Sequence, residues 1–125
     1  MYQPMMKGAP GWSIHPDVAP ASGELVIEKT ASDGFYQTTL QSELDRLGIS
    51  RLIVCGLQTE FCVDTTCRAA FSRGFDVLLA ADGHATTDGA VPADVVVRHH
   101  NYALAHLAHP DRRIAVMPSA EIDFR

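Results

Sequence analysis

Leu52-Ile53-Val54-Cys55-Gly56-Leu57-Gln58-Thr59-Glu60-Phe61-Cys62 is the stretch on which the reading of this chain turns. Its first four residues form an unbroken apolar run, the pattern of a strand covered on both faces. Gly56 to Cys62 then leads into a helix over 63–73, where Val63, Cys67 and Ala70 share one face and Gly74 supplies the stop. The outcome is a thiol at the start of a helix, just past the carboxyl end of a strand. Backbone N–H groups there lack intrahelical partners and the helix dipole favours negative charge, so the position suits a thiolate and an oxyanion. A packed, unreactive thiol fits the same position, because free cysteine is often buried.

Working outward, strand and helix signals alternate. Leu25-Val26-Ile27 is a short apolar strand candidate. Residues 38–47 set Leu40, Leu44 and Leu47 on one helical face, with Thr38 and Gln41 spaced as a capping box and Gly48 as the stop. Val77 to Ala81 reads as a second buried strand. Residues 91–107 read as a helix with Pro92 in its first turn and Val96, His100, Leu104 and Leu107 on one face. Ile114-Ala115-Val116 is the last strand. This order predicts an α/β fold in three layers, a mostly parallel sheet with helices on both faces. Residues 1–125 form a single domain, and 1–23, with Pro4, Pro10, Pro16 and Pro20, form an irregular N-terminal arm.

A net charge of −5 leaves no basic field for nucleic acid or an anionic membrane surface. No apolar run approaches the roughly 18 residues of a membrane span, and the first ten residues lack a signal-peptide core. The three cysteines (Cys55, Cys62, Cys67) are an odd count. Cys62 and Cys67 would point about 140° apart on one helix. Reduced thiols and a cytoplasmic location follow as expectations. The adjacent His99 and His100 diverge by about 100° on a helix, too far round to share an ion, so no metal is expected.

In open α/β sheets, ligands bind beyond the carboxyl ends of the strands. Segments 28–35, 56–62 and 82–88 sit there, placing Lys29, Phe35, Cys62 and His84 at one edge. Read alone, Lys29 is a solvated strand-end lysine and His84 a hydrogen-bonded loop histidine. Asp33 reads as a solvated or capping loop aspartate, and Thr59 and Glu60 as residues that fix the turn around Cys62.

Residues 56–77, from Gly-Leu-Gln-Thr-Glu-Phe-Cys-Val-Asp-Thr-Thr-Cys onward, resemble the nucleophile segment of the isochorismatase-like, nicotinamidase-related cysteine hydrolases. Glu28-Lys29-Thr30 with Phe35-Tyr36-Gln37-Thr38-Thr39-Leu40 resembles the family's lysine segment. Ala81-Asp82-Gly83-His84-Ala85-Thr86-Thr87 and His99-His100-Asn101 resemble one branch of it, and Gly11 to Pro16 its substrate-side loop. The resemblance implies a Rossmann-like α/β/α sheet, Cys62 as nucleophile and Lys29 as the group that orients the acid and base. It places a non-proline cis peptide between Leu57 and Gln58, and an oxyanion hole at the N–H groups of Gln58 and Cys62. Trp12, Phe35 and His84 become substrate-binding candidates. No cofactor is implied.

One family element has no match. The general acid/base of the family is an aspartate after its first strand, in an apolar run followed by Asp-x-Gln, and no such run precedes Lys29. The first two strands of the family sheet, which lie between the lysine strand and the cysteine strand in the order 3-2-1-4-5-6, are therefore missing. The expected function is cleavage of a small amide through a thioester on Cys62, impaired for want of that aspartate. The rivals are an inactive subunit or binding module, and a shortened form of a longer hydrolase. With the two strands absent, residues 25–28 are expected either to pair directly with 52–55 or to leave an edge that a homo-oligomer covers.

Overall fold

The computed structural model describes residues 6–125; the first five residues of the proline-rich arm lie outside this range. Three parallel strands form the sheet: β1 (Arg51–Leu57), β2 (Asp76–Ala85) and β3 (Ala115–Met117), in the order β1-β2-β3. Three α-helices connect or flank them: α1 (Leu40–Arg46), α2 (Asp64–Ser72) and α3 (Ala93–Ala105). A single π turn, Thr59–Val63, leads directly into α2. No helix among the described residues is long and apolar enough to cross a membrane.

β2 is the central strand, and Val77, Leu78, Leu79 and Ala80 are all buried. Its alternate side chains serve two clusters, as the period of two requires. Val77 and Leu79 join Leu44 of α1, Cys67, Ala70 and Phe71 of α2, and Leu104 of α3 in the main core. Leu78 and Ala80 join Ile53, Met117 and Ile122 on the other face, a cluster with no α-helical member among the described residues. Asp82 ties that C-terminal turn down: its carboxylate accepts from the Ser119 N–H at 2.7 Å and the Ser119 hydroxyl at 2.8 Å. Those bonds hold its carboxyl below the ordinary carboxylate range.

The helix ends follow local chemistry. Past Gly74 (φ 98°), the Phe75 N–H returns to the Ala70 carbonyl at 3.1 Å, closing α2 with a left-handed glycine and sending Phe75 into the core. The Ile49 N–H returns to Leu44 past Gly48 in the same way. At the start of α1, the Thr38 hydroxyl accepts from the Leu40 N–H and donates to the Gly34 carbonyl. Gln41 reaches forward to Asp45, so the capping box expected from their spacing is not formed.

Leu25-Val26-Ile27 is not a strand. The segment is unpaired, with Leu25 and Val26 more than half exposed. β1 pairs only with β2, so 25–28 and 52–55 do not meet as strands. A groove of about 260 Å³ separates them, lined by Ile27 and Leu40 on one side and Val54 and Leu57 on the other. An apolar triplet becomes a strand only where neighbouring N–H and C=O groups are in reach. For the same reason β1 is less covered than its composition predicts: Leu52, Ile53 and Val54 are half-buried and Cys55 is exposed.

β2 runs past its expected end at Ala81. Val54 pairs with Leu79 and Gly56 with His84, so two residues along β1 oppose five along β2. Gly83 lies in this bulge, where an added Cβ would come within 2.7 Å of the Ala80 Cβ and 3.3 Å of the Cys55 Cβ. Both neighbours are anchored directly to backbone and cannot swing aside. Gly83→Ala is expected to destabilise the fold by about 1–3 kcal/mol, read as a lower urea midpoint at unchanged m-value. An unchanged midpoint would show that the bulge relaxes freely.

Candidate active site

Cys62 is the fourth residue of the π turn, two positions before α2, and its side chain is partly accessible. The peptide bond between Leu57 and Gln58 is cis. Gln58 heads the turn, its carbonyl accepting from the N–H groups of Phe61 and Val63 at 3.1 and 3.2 Å. Lys29 arrives from the unpaired segment opposite. Its Nζ lies 3.1 Å from Cys62 Sγ and donates to the Ala31 carbonyl at 2.8 Å. The two residues brought together by resemblance are thus in direct contact, although the strand expected to deliver Lys29 is absent.

The lysine loop is clamped to α2 by Thr66, a residue the sequence reading did not single out. Its hydroxyl accepts from the Gly34 N–H at 3.0 Å and donates to the Ser32 carbonyl at 3.3 Å. Thr66 follows Cys62 by four residues, close to one helical turn. One helix thereby orders both the thiol and the loop that carries its cation. Such an i, i+4 pair is visible in a sequence, but its partner loop is not.

A cavity of about 690 Å³ opens in front of this pair, within the range of small-molecule sites. Cys62 and Lys29 stand on its wall with Trp12, Ile14, Val26 and Ser32. Trp12 therefore shares a cavity with Cys62 and Lys29. Lys7 bridges the rim, bonded to both Glu28 carboxylate oxygens at 2.8 Å and lying 5.6 Å from the Trp12 ring centroid.

Phe35 and His84 line neither this cavity nor the groove beside β1. Phe35 is in the core, stacked on Phe75 at 5.9 Å with the Arg73 guanidinium over its ring. The Phe35 N–H donates to Asp33 Oδ1, so Asp33 caps the turn that sends the ring inward. His84 is buried behind the π turn, with one ring nitrogen 2.9 Å from Thr59 Oγ1 and the other 2.8 Å from Asn101 Oδ1. Both side chains expected to contact substrate are thus packed or paired away from the cavity that holds Cys62 and Lys29. Thr59 and Glu60 fix the turn as expected, though through β2 and the residue just beyond it instead of as caps. Glu60 Oε1 accepts from the Thr86 hydroxyl at 2.7 Å.

No carboxylate is hydrogen-bonded or ion-paired to Lys29 or Cys62 among the described residues; Lys29 bonds only Ala31 and Cys62. The other two thiols differ sharply in setting. Cys55 is exposed, whereas burial, reinforced by Asp64, pushes the Cys67 thiol up to about 12.

A parallel α/β sheet, a cysteine at the head of a helix after a cis peptide, and a lysine on its sulfur together define the chain's class. Residues 2–121 match the isochorismatase domain model, and the chain belongs to the isochorismatase family. It is 38% identical over 117 residues to a streptothricin hydrolase of Streptomyces noursei, a match covering 87% of this chain and 42% of that protein. To a ureidoacrylate amidohydrolase of Variovorax paradoxus it is 31% identical over 86 residues, covering 69% of this chain and 34% of the relative. The solved structure of an isochorismatase from Pseudomonas putida superposes with a TM-score of 0.83 at 32% identity, over 92% of this chain and 59% of that one. The chain thus spans less than half the length of these two curated relatives.

Proposed function

We propose that this chain is a cysteine hydrolase that cleaves the C–N bond of a small amide through a thioester on Cys62. The observation that carries the reading is the 3.1 Å contact between Lys29 Nζ and Cys62 Sγ at the wall of a ligand-sized cavity. Sulfur attacks the amide carbonyl carbon, the C–N bond breaks, and the amine leaves with a proton. Water then attacks the thioester, releasing the acid and restoring the thiol. Lys29 would donate a charge-assisted hydrogen bond to the attacking sulfur. The N–H groups of Gln58 and Cys62 would receive the carbonyl oxygen as it becomes negative, and Trp12 offers an apolar wall for the substrate. The amidohydrolase relative supports an amide substrate. This chemistry requires no metal or organic cofactor.

The test is alkylation by iodoacetamide at neutral pH with peptide-level readout. Cys62 is expected to react first. Cys67 should stay silent, so exposed Cys55 is the competitor. Lys29→Met should slow Cys62 alkylation about tenfold, since a hydrogen bond to a charged group is worth about 1.5–3 kcal/mol. If Cys55 reacts as fast as Cys62 in the native protein, the nucleophile assignment fails.

The missing carboxylate favours a second reading, a binding module that retains the family cavity without turnover. Three free cysteines are compatible with a reducing, cytoplasmic setting. The open edge of β1 points to a homo-oligomer as the working form.

A further inference from the structure

We infer that His84 is a positioning residue for the Cys62 turn, acting through the buried Thr59 hydroxyl and itself oriented by Asn101. The inference rests on the reading of Cys62 as the nucleophile and adds what holds that nucleophile in place.

The hydrogen-bond directions follow from the donor inventory of each group. Asn101 Nδ2 donates to the Ala81 carbonyl at 3.1 Å, which turns its Oδ1 toward His84 Nε2 at 2.8 Å. An amide oxygen only accepts, so Nε2 carries the ring proton. With Nε2 as the one protonated nitrogen, Nδ1 is the acceptor and the Thr59 hydroxyl, 2.9 Å away, is the donor it would take.

Its placement is what makes it mechanical. Thr59 has no exposed surface, is the first residue of the π turn, and precedes Cys62 by three positions. The bulge in β2 sets His84 opposite Gly56, directly below the approach to that turn. Asn101 comes from the middle of α3, so the turn is tied at once to β2 and α3. Glu60, bonded to Thr86 just past β2, fixes the neighbouring residue. Lys29 touches the thiol from the cavity side, and the His84 chain holds the same turn from behind.

The experiment follows Cys62 alkylation by iodoacetamide against pH in native protein, His84→Ala, Thr59→Val and His84→Gln, with melting temperature measured in parallel. Thr59→Val keeps the side-chain shape and removes only the donor, so it decides the matter if His84→Ala fails to fold. Both are expected to slow Cys62 alkylation about tenfold or more, as small misplacements of a reacting group do, so that their pH–rate profiles lie below the native one. Cys55 alkylation should not change. His84→Gln presents an acceptor to Thr59 and a donor to Asn101, and is expected to restore most of the native rate. If Thr59→Val and His84→Ala lower only the melting temperature and their Cys62 profiles overlay the native one, His84 is structural and the inference is overturned. A native Cys62 no faster than Cys55 would instead overturn the nucleophile reading and the inference with it.

Discussion

p-Nitrophenyl acetate is expected to acylate this chain with a burst of nitrophenolate stoichiometric with Cys62, whereas simple carboxamides turn over very slowly. The two substrates differ in what their leaving groups require. Nitrophenolate departs as an anion without help. An amine must receive a proton as the C–N bond breaks, and positioned acids supply about 10²–10⁴-fold in such steps. The cation beside the thiol is present, but Lys29 spends its bonds on Ala31 and Cys62, and no carboxylate among the described residues joins them. The nearest acidic residues in sequence are committed elsewhere, Glu28 to Lys7 and Asp33 to the Phe35 N–H. Cys62→Ala should abolish the burst. Carboxamide hydrolysis as fast as ester acylation would show that a proton donor reaches the site after all, and Asp33 would be the first residue to replace.

The elements that were legible in the sequence are those whose apolar pattern is local, although β1 is less covered than its pattern predicts. Leu52 to Cys55, Val77 to Ala81 and the face of Val96, His100, Leu104 and Leu107 carry their periodicity wherever they are placed. The Lys29–Cys62 contact joins residues 33 positions apart, and only a resemblance could bring them together before coordinates did. Leu25-Val26-Ile27 shows the opposite limit: strand-forming side chains without a hydrogen-bonding neighbour remain a loop. Phe35 and His84 lie on segments at the predicted functional edge, yet both turn away from the cavity. Asp33 caps the turn that buries one, and the three-residue excess of β2 over β1 carries the other behind the π turn. The bonding roles of Thr66 and Asn101 were not legible because a polar residue on an amphipathic helix looks like surface until its buried partner is known.

A mass larger than the 13.6 kDa of one chain, rising with concentration, is expected from sedimentation or light scattering. The outer edge of β1 bonds to nothing in the described structure, and its N–H and C=O groups face a groove with walls of Ile27, Leu40, Val54 and Leu57. Arg51 is the strand's one charge and it holds no proline, so little guards it from added strands. A strand of this length is small beside the roughly 1,200–2,000 Å² of a stable interface. The exposed Leu25, Val26 and Leu57 and the unpaired segment before Lys29 supply further apolar surface. A two-fold arrangement in which each chain's arm covers the other's edge uses both features and closes on itself. Amides of 52–56 should then be protected from hydrogen exchange despite lying on an edge. Leu25→Lys should weaken association tenfold or more, since burying a leucine side chain is worth about 1.5–3 kcal/mol. A monomer at all concentrations, with those amides exchanging freely, would mean that the edge stands open in solution and that no second copy completes this sheet.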